Sequence, residues 1–291
     1  MGSEGKSVSA TTTAVLPDVA SLRAQVRAWR AKGERVALVP TMGALHAGHV
    51  SLVEEGRRRA ERVVASIFVN PTQFAPTEDF SKYPRTFDTD IQKLGSAGCD
   101  ACFAPGVEDM YPAGFSTVVT LEGPAKVDLE DHFRPTHFAG VATVVAKLLN
   151  QAQADCAIFG EKDFQQFKVI TRMARDLDIP TEIVGAATVR EADGLAMSSR
   201  NVYLSPDERQ RATAMYRALN HAAAKIREGE VIGHEMTEAR EILVEAGFAI
   251  DYVETRHAET LERIARRADG PIRLLAAARL GKTRLIDNIA V

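Results

Sequence analysis

Two histidines three residues apart, His46 and His49, stand in the stretch PTMGALHAGHVSL (residues 40–52). Imidazole is the side chain best suited to moving a proton near neutral pH. The stretch follows the apolar run RVALVP (residues 35–40), turns through Pro40 and Gly43, and enters a helix near Gly48. Once the helix begins, this spacing lets both rings lie near one face of its first turn. A helix N-terminus offers unpaired N–H groups and partial positive charge, which suit phosphate oxygens. Gly48, lacking a Cβ, lets a nucleotide approach the backbone. The same pair could instead bind a metal, or simply be polar residues at a helix start. No third ligand is near in sequence, since Glu54 and Glu55 fall further down the helix. Nucleotide binding is favoured by position, because open parallel sheets bind ligands beyond the carboxyl ends of their strands.

Other stretches carry chemistry of the same kind. In FVNPTQF (residues 68–74), Asn70 and Gln73 offer amides that donate and accept, and Pro71, with Pro76 beyond, stiffens the loop. Taken by itself, this stretch reads more readily as a plain structural turn. GEKDFQQ (residues 160–166) sets a glycine, Lys162 and Asp163 at a strand end. That gives close backbone approach, a phosphate cation and an acceptor for ribose hydroxyls, or else a solvated turn. MSSR (residues 197–200) supplies two hydroxyls and a guanidinium for phosphate oxygens, or a capped helix with a surface arginine. In RPTHF (residues 134–138), Arg134 and His137 either join the site or anchor the helix that follows. Cys99 and Cys102 form a CxxC with no second pair and no nearby histidine, which argues against zinc or redox work. The run of arginines at 57–59 reads as a solvated helix face.

These residues need elements to hold them. Apolar runs at residues 35–40, 63–69, 100–105, 155–160 and 181–189 predict strands. Helices are expected from Asp18, the N-cap, and over residues 48–60, 87–97, 138–153 and 164–177. Strands alternating with helices imply right-handed crossovers and a mainly parallel α/β sheet. Beyond residue 189 the pattern changes to a helix over 206–227, interruptions at Gly229 and Gly233, and a helix over 235–246. A strand over 249–256, a short helix and the run over 273–291 complete a smaller α+β domain. The expected divisions are a disordered tail over 1–15, a ligand-binding domain over 16–189 and a C-terminal domain over 190–291.

The 291 residues are 45% hydrophobic and 26% charged, the balance of an ordinary globular protein with no collagen-like or wholly disordered character. With 36 Lys and Arg against 39 Asp and Glu there is no basic excess for nucleic acid, so an anion must be met by local charge. No apolar run approaches the ~18 residues of a membrane span. The first residues lack the apolar core of a secretory signal, and three cysteines, an odd count, point to free thiols in a reducing cytosol.

HAGH fits the HxGH signature of the nucleotidyltransferase-like superfamily, and PTMGALHAGH resembles the pantothenate synthetase (pantoate–β-alanine ligase) family. FVNPTQF, RPTHFAGVATVVAKL, FGEKDFQQ, MSSRNVYLS and LLAAARLGKTRLIDN agree with that family in the same order. The resemblance implies a Rossmann-like, doubly wound sheet and an ATP-dependent ligase of pantoate and β-alanine. By resemblance, ATP meets Met42, Gly43, Ala44, Leu45, His46, Ala47, Gly48 and His49, then Gly160, Glu161, Lys162 and Asp163, then Val189, Met197, Ser198, Ser199 and Arg200. Gln73, Gln166, Asn70 and Val141 are implied for pantoate, with Val144 beside Val141 as apolar wall. His49, His46, Lys162 and Arg200 are the implied catalytic set, with His49 the acid/base. ATP is expected with Mg²⁺ on its oxygens and no metal held by the protein itself. A cytoplasmic homodimer and a C-terminal domain closing as a lid are also implied.

The chain departs from the family at Ala47, where glutamate is usual, at Ala75 and Thr136, where glycine is usual, and at His257, where an acid is usual. The implied reaction has two steps: pantoate attacks the α-phosphorus of ATP, and β-alanine then attacks the resulting pantoyl-adenylate.

Overall fold

The computed structural model describes residues 13–74, 80 and 83–291. The apolar runs form strands β1 (Ala14–Leu16), β2 (Val36–Thr41), β3 (Arg62–Ile67), β4 (Ala101–Phe103), β5 (Cys156–Gly160) and β6 (Glu182–Ala186). Between them run α1 (Val19–Arg30), α2 (Ala47–Arg59), α3 (Phe87–Ser96), the short α4 (Val107–Met110) and α5 (Glu130–Phe133), α6 (His137–Ala152) and α7 (Phe164–Asp176). Asp18 caps α1 as its position predicts, accepting the Ser21 N–H at 2.7 Å.

The strands make one six-stranded sheet in the order β1-β4-β3-β2-β5-β6, parallel throughout. Both faces are covered, so the strands read as apolar runs rather than alternating ones. Val36, Leu38, Val64 and Phe103 share a core with α1, α6 and α7. Ala37, Val39, Val63 and Cys102 share another with α2 and α3. The chain moves outward from β2 to β3, then returns to place β5 on β2's other side. The carboxyl ends of β2 and β5 therefore flank the point where the winding reverses, the place such sheets leave open for a ligand.

α6 is buried along most of its length. Where it starts, a Cβ on Gly140 would stand 2.8 Å from Gln73 Cα and closer still to the Thr72 carbonyl. The turn Pro71–Gln73 thus lies directly on the helix. Asn70, 1% exposed, locks that contact by donating to Gly140 O at 3.2 Å.

The C-terminal part holds α8 (Pro206–Ala212), α9 (Ala214–Glu228), α10 (Ile232–Glu245), β7 (Phe248–His257), β8 (Ile272–Leu280) and β9 (Thr283–Ala290). The three strands pair antiparallel in chain order, and α9 and α10 share their core.

Several expectations need correcting. The single helix over 206–227 is divided at Thr213, where α8 ends and α9 begins. Gly229 does end α9, in the left-handed region at φ +109°, but Gly233 lies inside α10 and interrupts nothing. The short helix after β7 is a single 3₁₀ turn, Arg267–Asp269. The strand expected over 181–189 stops at Ala186, which leaves Val189 in a loop. Ala14 and Val15, assigned to the tail, pair with Ala101 and Cys102 as an edge strand. Thr13, also assigned to the tail, is buried and donates to Cys99 O at 3.0 Å, while residues 1–12 lie outside the described residues, as do Ala75 and Pro76. Thr136 has φ −98°, which needs no glycine.

Gly140→Ala should displace the 71–73 turn from α6 and lower stability by about 1–3 kcal/mol, the usual cost of overpacking. Urea denaturation checks it, and an unchanged midpoint would show that the turn moves aside freely.

Candidate active site

β2 ends at Thr41 and the chain reverses through Gly43 at φ +83° and Ala44 at φ +52°. Both lie in the left-handed region, where alanine is strained. The buried carboxylate of Asp90, on α3, holds that turn, accepting from Ala44 N at 2.9 Å and Leu45 N at 2.8 Å. Lys93, also on α3, donates to Leu45 O at 2.6 Å.

His46 is the N-cap of α2: its Nδ1 accepts the Gly48 N–H at 3.1 Å, and His49 Nδ1 accepts the His46 N–H at 3.2 Å. With both Nδ1 atoms accepting, each neutral ring carries its proton on Nε2. Burial lowers His46 to about 4, helped by the cations Lys162 and Lys93. Burial lowers His49 further, to about 3, with His46 beside it contributing. Both rings are therefore uncharged donors at neutral pH. A Cβ on Gly48 would stand 2.9 Å from the His46 ring. The glycine is thus demanded first by the capping imidazole.

Facing the histidines, β5 runs out at Gly160 into the 3₁₀ turn Glu161–Asp163. Lys162 Nζ lies 3.7 Å from Asp163 Oδ2. The surrounding walls push the Asp163 carboxyl up, but Lys162 and Arg200 outweigh them and hold it below the usual range. Ser198 caps the next turn, its Oγ accepting from Arg200 N at 3.2 Å. One cavity of about 240 Å³ is lined by Met42, His46, Gly48, His49, Asn70, Gln73, Val141, Gly160, Lys162, Asp163, Gln166, Val189 and Met197 to Arg200. Val144, Val145 and Leu148 complete an apolar wall on α6. A second cavity of about 720 Å³ shares Lys162, Asp163 and Ser198 to Arg200 and is closed by Arg134, Lys282 and Arg284.

Sixteen predicted residues thus converge, and five line neither of these cavities. Leu45 is in the core, Ala47 is exposed, and Gly43 and Ala44 shape the turn. Glu161 faces the C-terminal sheet, where Arg273 Nη2 donates to its Oε2 at 3.1 Å. Asn70 spends its amide on the protein, accepting from Tyr111 Oη at 2.8 Å and Thr72 Oγ1 at 3.0 Å. Gln73 Nε2 donates to Met42 Sδ at 2.8 Å, and His137 Nδ1 lies 3.0 Å from Gln73 O. His137 and Arg134 therefore brace the Gln73 loop, and His137 also opens α6.

Several positioning residues escaped the sequence reading. Asp90 and Lys93 hold the β2 turn from another helix. Tyr83 enters both cavities beside Ser199. Thr188 Oγ1 is buried in the wall without a protein hydrogen bond. On β9, Asn288 Nδ2 donates to Glu161 O at 2.9 Å and Lys162 O at 2.8 Å. The cysteines sit in the core, where burial pushes Cys99 and Cys102 to about 12, unfit for metal or redox chemistry. Arg58 and Arg59 pair with Glu55 on the exposed face of α2.

The profile of the pantoate-beta-alanine ligase family matches residues 14–290. Pantothenate synthetase 2 of Bradyrhizobium diazoefficiens is 60% identical over 273 residues, 94% of this chain and 96% of that one. The chain belongs to the pantoate-beta-alanine ligase family. It is an enzyme, a ligase. The crystal structure of pantothenate synthetase from Thermus thermophilus superposes with a TM-score of 0.90 at 47% identity, covering 95% of this chain and 99% of that one. The Francisella tularensis pantoate-beta-alanine ligase, solved with β,γ ATP and β-alanine, gives 0.79 at 31% identity over 96% and 97%. The doubly wound parallel sheet with its small antiparallel C-terminal sheet is the fold of these ligases.

Two outcomes test this geometry. The unfolded chain protonates His46 and His49 near 6.5, whereas the folded chain resists until about 4 and 3. The unfolded state then binds more protons, so stability falls as pH drops below about 6.5. Urea midpoints from pH 7.5 to 4.5 should show that fall, and a double His46→Asn, His49→Gln variant should flatten it. Asn288→Ala should lower kcat/KM for ATP roughly tenfold, the worth of one or two hydrogen bonds. Steady-state kinetics read this, and an unchanged value would show that Lys162 is held without β9.

Proposed function

We propose that this chain condenses pantoate with β-alanine at the expense of ATP, through a pantoyl-adenylate, releasing AMP and pyrophosphate. One observation carries the reading: His46, His49, Lys162, Ser198, Ser199 and Arg200 line the same cavity as Val141, Val144, Gln73 and Gln166. Cationic and hydroxyl groups suit a triphosphate, while an apolar wall with amides suits a branched hydroxy acid.

In the first step a pantoate carboxylate oxygen bonds to the α-phosphorus of ATP, the bridge to the β-phosphorus breaks, and pyrophosphate leaves with the electron pair. Two anions must meet, so the barrier is largely one of charge and position. Lys162 and Arg200 supply fixed positive charge, and the neutral histidines donate without attracting a proton away from their caps. In the second step the amine nitrogen of β-alanine attacks the acyl carbon, the bond to AMP breaks, and the amine's proton goes to solvent. A base role for His49 requires surrendering the bond from His46 N–H or its Nε2 proton, so its state supports a phosphate donor instead. ATP is proposed to arrive with Mg²⁺, which neutralises phosphate charge. Asp163 is the one carboxylate lining the 240 Å³ cavity among the described residues and, although the sequence leads to no protein-held metal, it would be the residue to meet that ion.

Residues 190–291 are proposed as a lid domain that excludes water from the adenylate. Asn288 and Arg273 tie β9 and β8 to the Glu161–Asp163 turn, and Arg284 binds Glu130 at 2.7 and 2.8 Å. Closure with those bonds intact falls to the Met197 to Tyr203 segment. The reading also takes the chain as a cytoplasmic homodimer acting without nucleic acid. No helix among the described residues is long and apolar enough to cross a membrane.

The deciding assay is pantoate-dependent exchange of labelled pyrophosphate into ATP with β-alanine absent. Wild type should exchange, and a failure to do so sinks the adenylate. His49→Ala should lose exchange by about 100-fold or more, in the range for removed oxyanion donors. Exchange retained with amide formation lost would restore the acid/base role. Between pH 5.5 and 8, kcat/KM should show no inflection near 6.5 that His49→Ala abolishes.

A further inference from the structure

Away from the cleft, His221 on α9 meets Glu235 and Glu238 on α10, and one ligand atom from each lies within 4.8 Å of the others. The two helices pack through Leu219, Ala222, Ile226, Met236 and Leu243, so the trio forms a polar rim on an apolar seam. Glu235 and Glu238 are one turn apart and project on the same side.

Two details separate this trio from an ordinary surface cluster. Glu235 is only 3% exposed, and its Oε2 is buried with no hydrogen-bond partner. Buried carboxylate oxygens are normally satisfied, because leaving one bare is costly. His221 Nε2 lies 3.4 Å from Glu238 Oε1. Ligands about 2.0–2.1 Å from a tetrahedral zinc stand roughly 3.3 Å apart, so that edge is nearly in place.

We propose that His221, Glu235 and Glu238 bind a divalent cation of the zinc class, with solvent completing the coordination. One imidazole and two carboxylates suit Zn²⁺ or Co²⁺ better than Mg²⁺ or Ca²⁺, which prefer all-oxygen shells. Two carboxylates also balance the charge of such an ion. The opposing cation is Lys225, one turn beyond His221, which pairs with Glu228 at 3.2 Å and also feels Glu235. It weakens the site without filling it. None of the three ligands lines either cavity of the cleft, so the ion would clamp α9 to α10 and stand outside the reaction.

Equilibrium dialysis of the nucleotide-free protein against Zn²⁺, with Co²⁺ absorption as a second readout, tests the proposal. The expected result is one saturable site, weakened at least tenfold by His221→Ala, tightened by Lys225→Gln and kept by His49→Ala. His221 is exposed and Lys225 half-exposed, and neither belongs to the apolar core, so these variants leave it untouched. Zn²⁺ should also raise the melting temperature, and Glu235→Gln should melt higher than wild type without metal yet lose the rise. The proposal is overturned if Zn²⁺ shows no saturable site, if His221→Ala leaves affinity unchanged, or if His49→Ala removes the site.

Discussion

The imidazoles of His46 and His49 cap the first turn of α2 reciprocally, each Nδ1 accepting a backbone N–H. Serine, threonine, aspartate and asparagine are the usual residues for that task, and any of them could satisfy the helix end. A histidine pair satisfies it and also leaves two Nε2–H groups on the rings' far edge. Burial keeps both rings neutral, so each nitrogen's role is fixed: one edge accepts from backbone, the other donates into the cleft. Most of the surrounding structure serves that arrangement. Gly48 makes room for the capping ring, and Asp90 and Lys93 hold the strained turn that delivers it.

The site was legible where its residues are local in sequence. HAGH, GEKD and MSSR are short runs at strand or turn ends, and a parallel sheet brings such ends to one edge. The same locality gives no sign that Glu161 turns its side chain to Arg273 while its neighbours in sequence line the cleft. It also overstated Asn70 as a free amide, because its partners Tyr111 and Gly140 lie 41 and 70 residues away. Asp90, Arg273 and Asn288 were invisible for this reason. An aspartate inside a helix and an asparagine near the chain's end carry no mark of the backbone groups they will meet.

The fold was legible by the same logic. Fully buried parallel strands must be apolar on both faces, so β2, β3 and β5 stand out as unbroken runs. β1, three residues on a sheet edge, has no such signature, and Val15 remains exposed. A glycine marks a helix break only when the backbone needs its freedom, and Gly233 has open space around it and ordinary helical neighbours.

The two sheets are joined by charge as well as by an apolar cluster in which Phe164 of α7 packs with Leu129, Tyr252, Leu275 and Ala277. Arg284 forks onto Glu130 and donates to Asp251 at 2.6 Å, and Tyr252 adds a bond to Glu130 at 2.9 Å. Burial pushes the Glu130 carboxyl up, but Arg284 and Tyr252 outweigh that and hold it below its usual range. A buried ion pair contributes little net stability against a well-packed apolar alternative, yet removing one partner leaves a bare charge and is costly. Such a joint tolerates few other registers, because each donor has one acceptor at the right distance. The shift in register between Ile250 and Tyr252 on β7 falls at Asp251, which accepts from Arg284, and the next residue, Tyr252, donates to Glu130. The C-terminal sheet is thereby fixed in orientation as well as in place, which is what allows Asn288, at the far end of the sequence, to hold the two carbonyls beside Lys162.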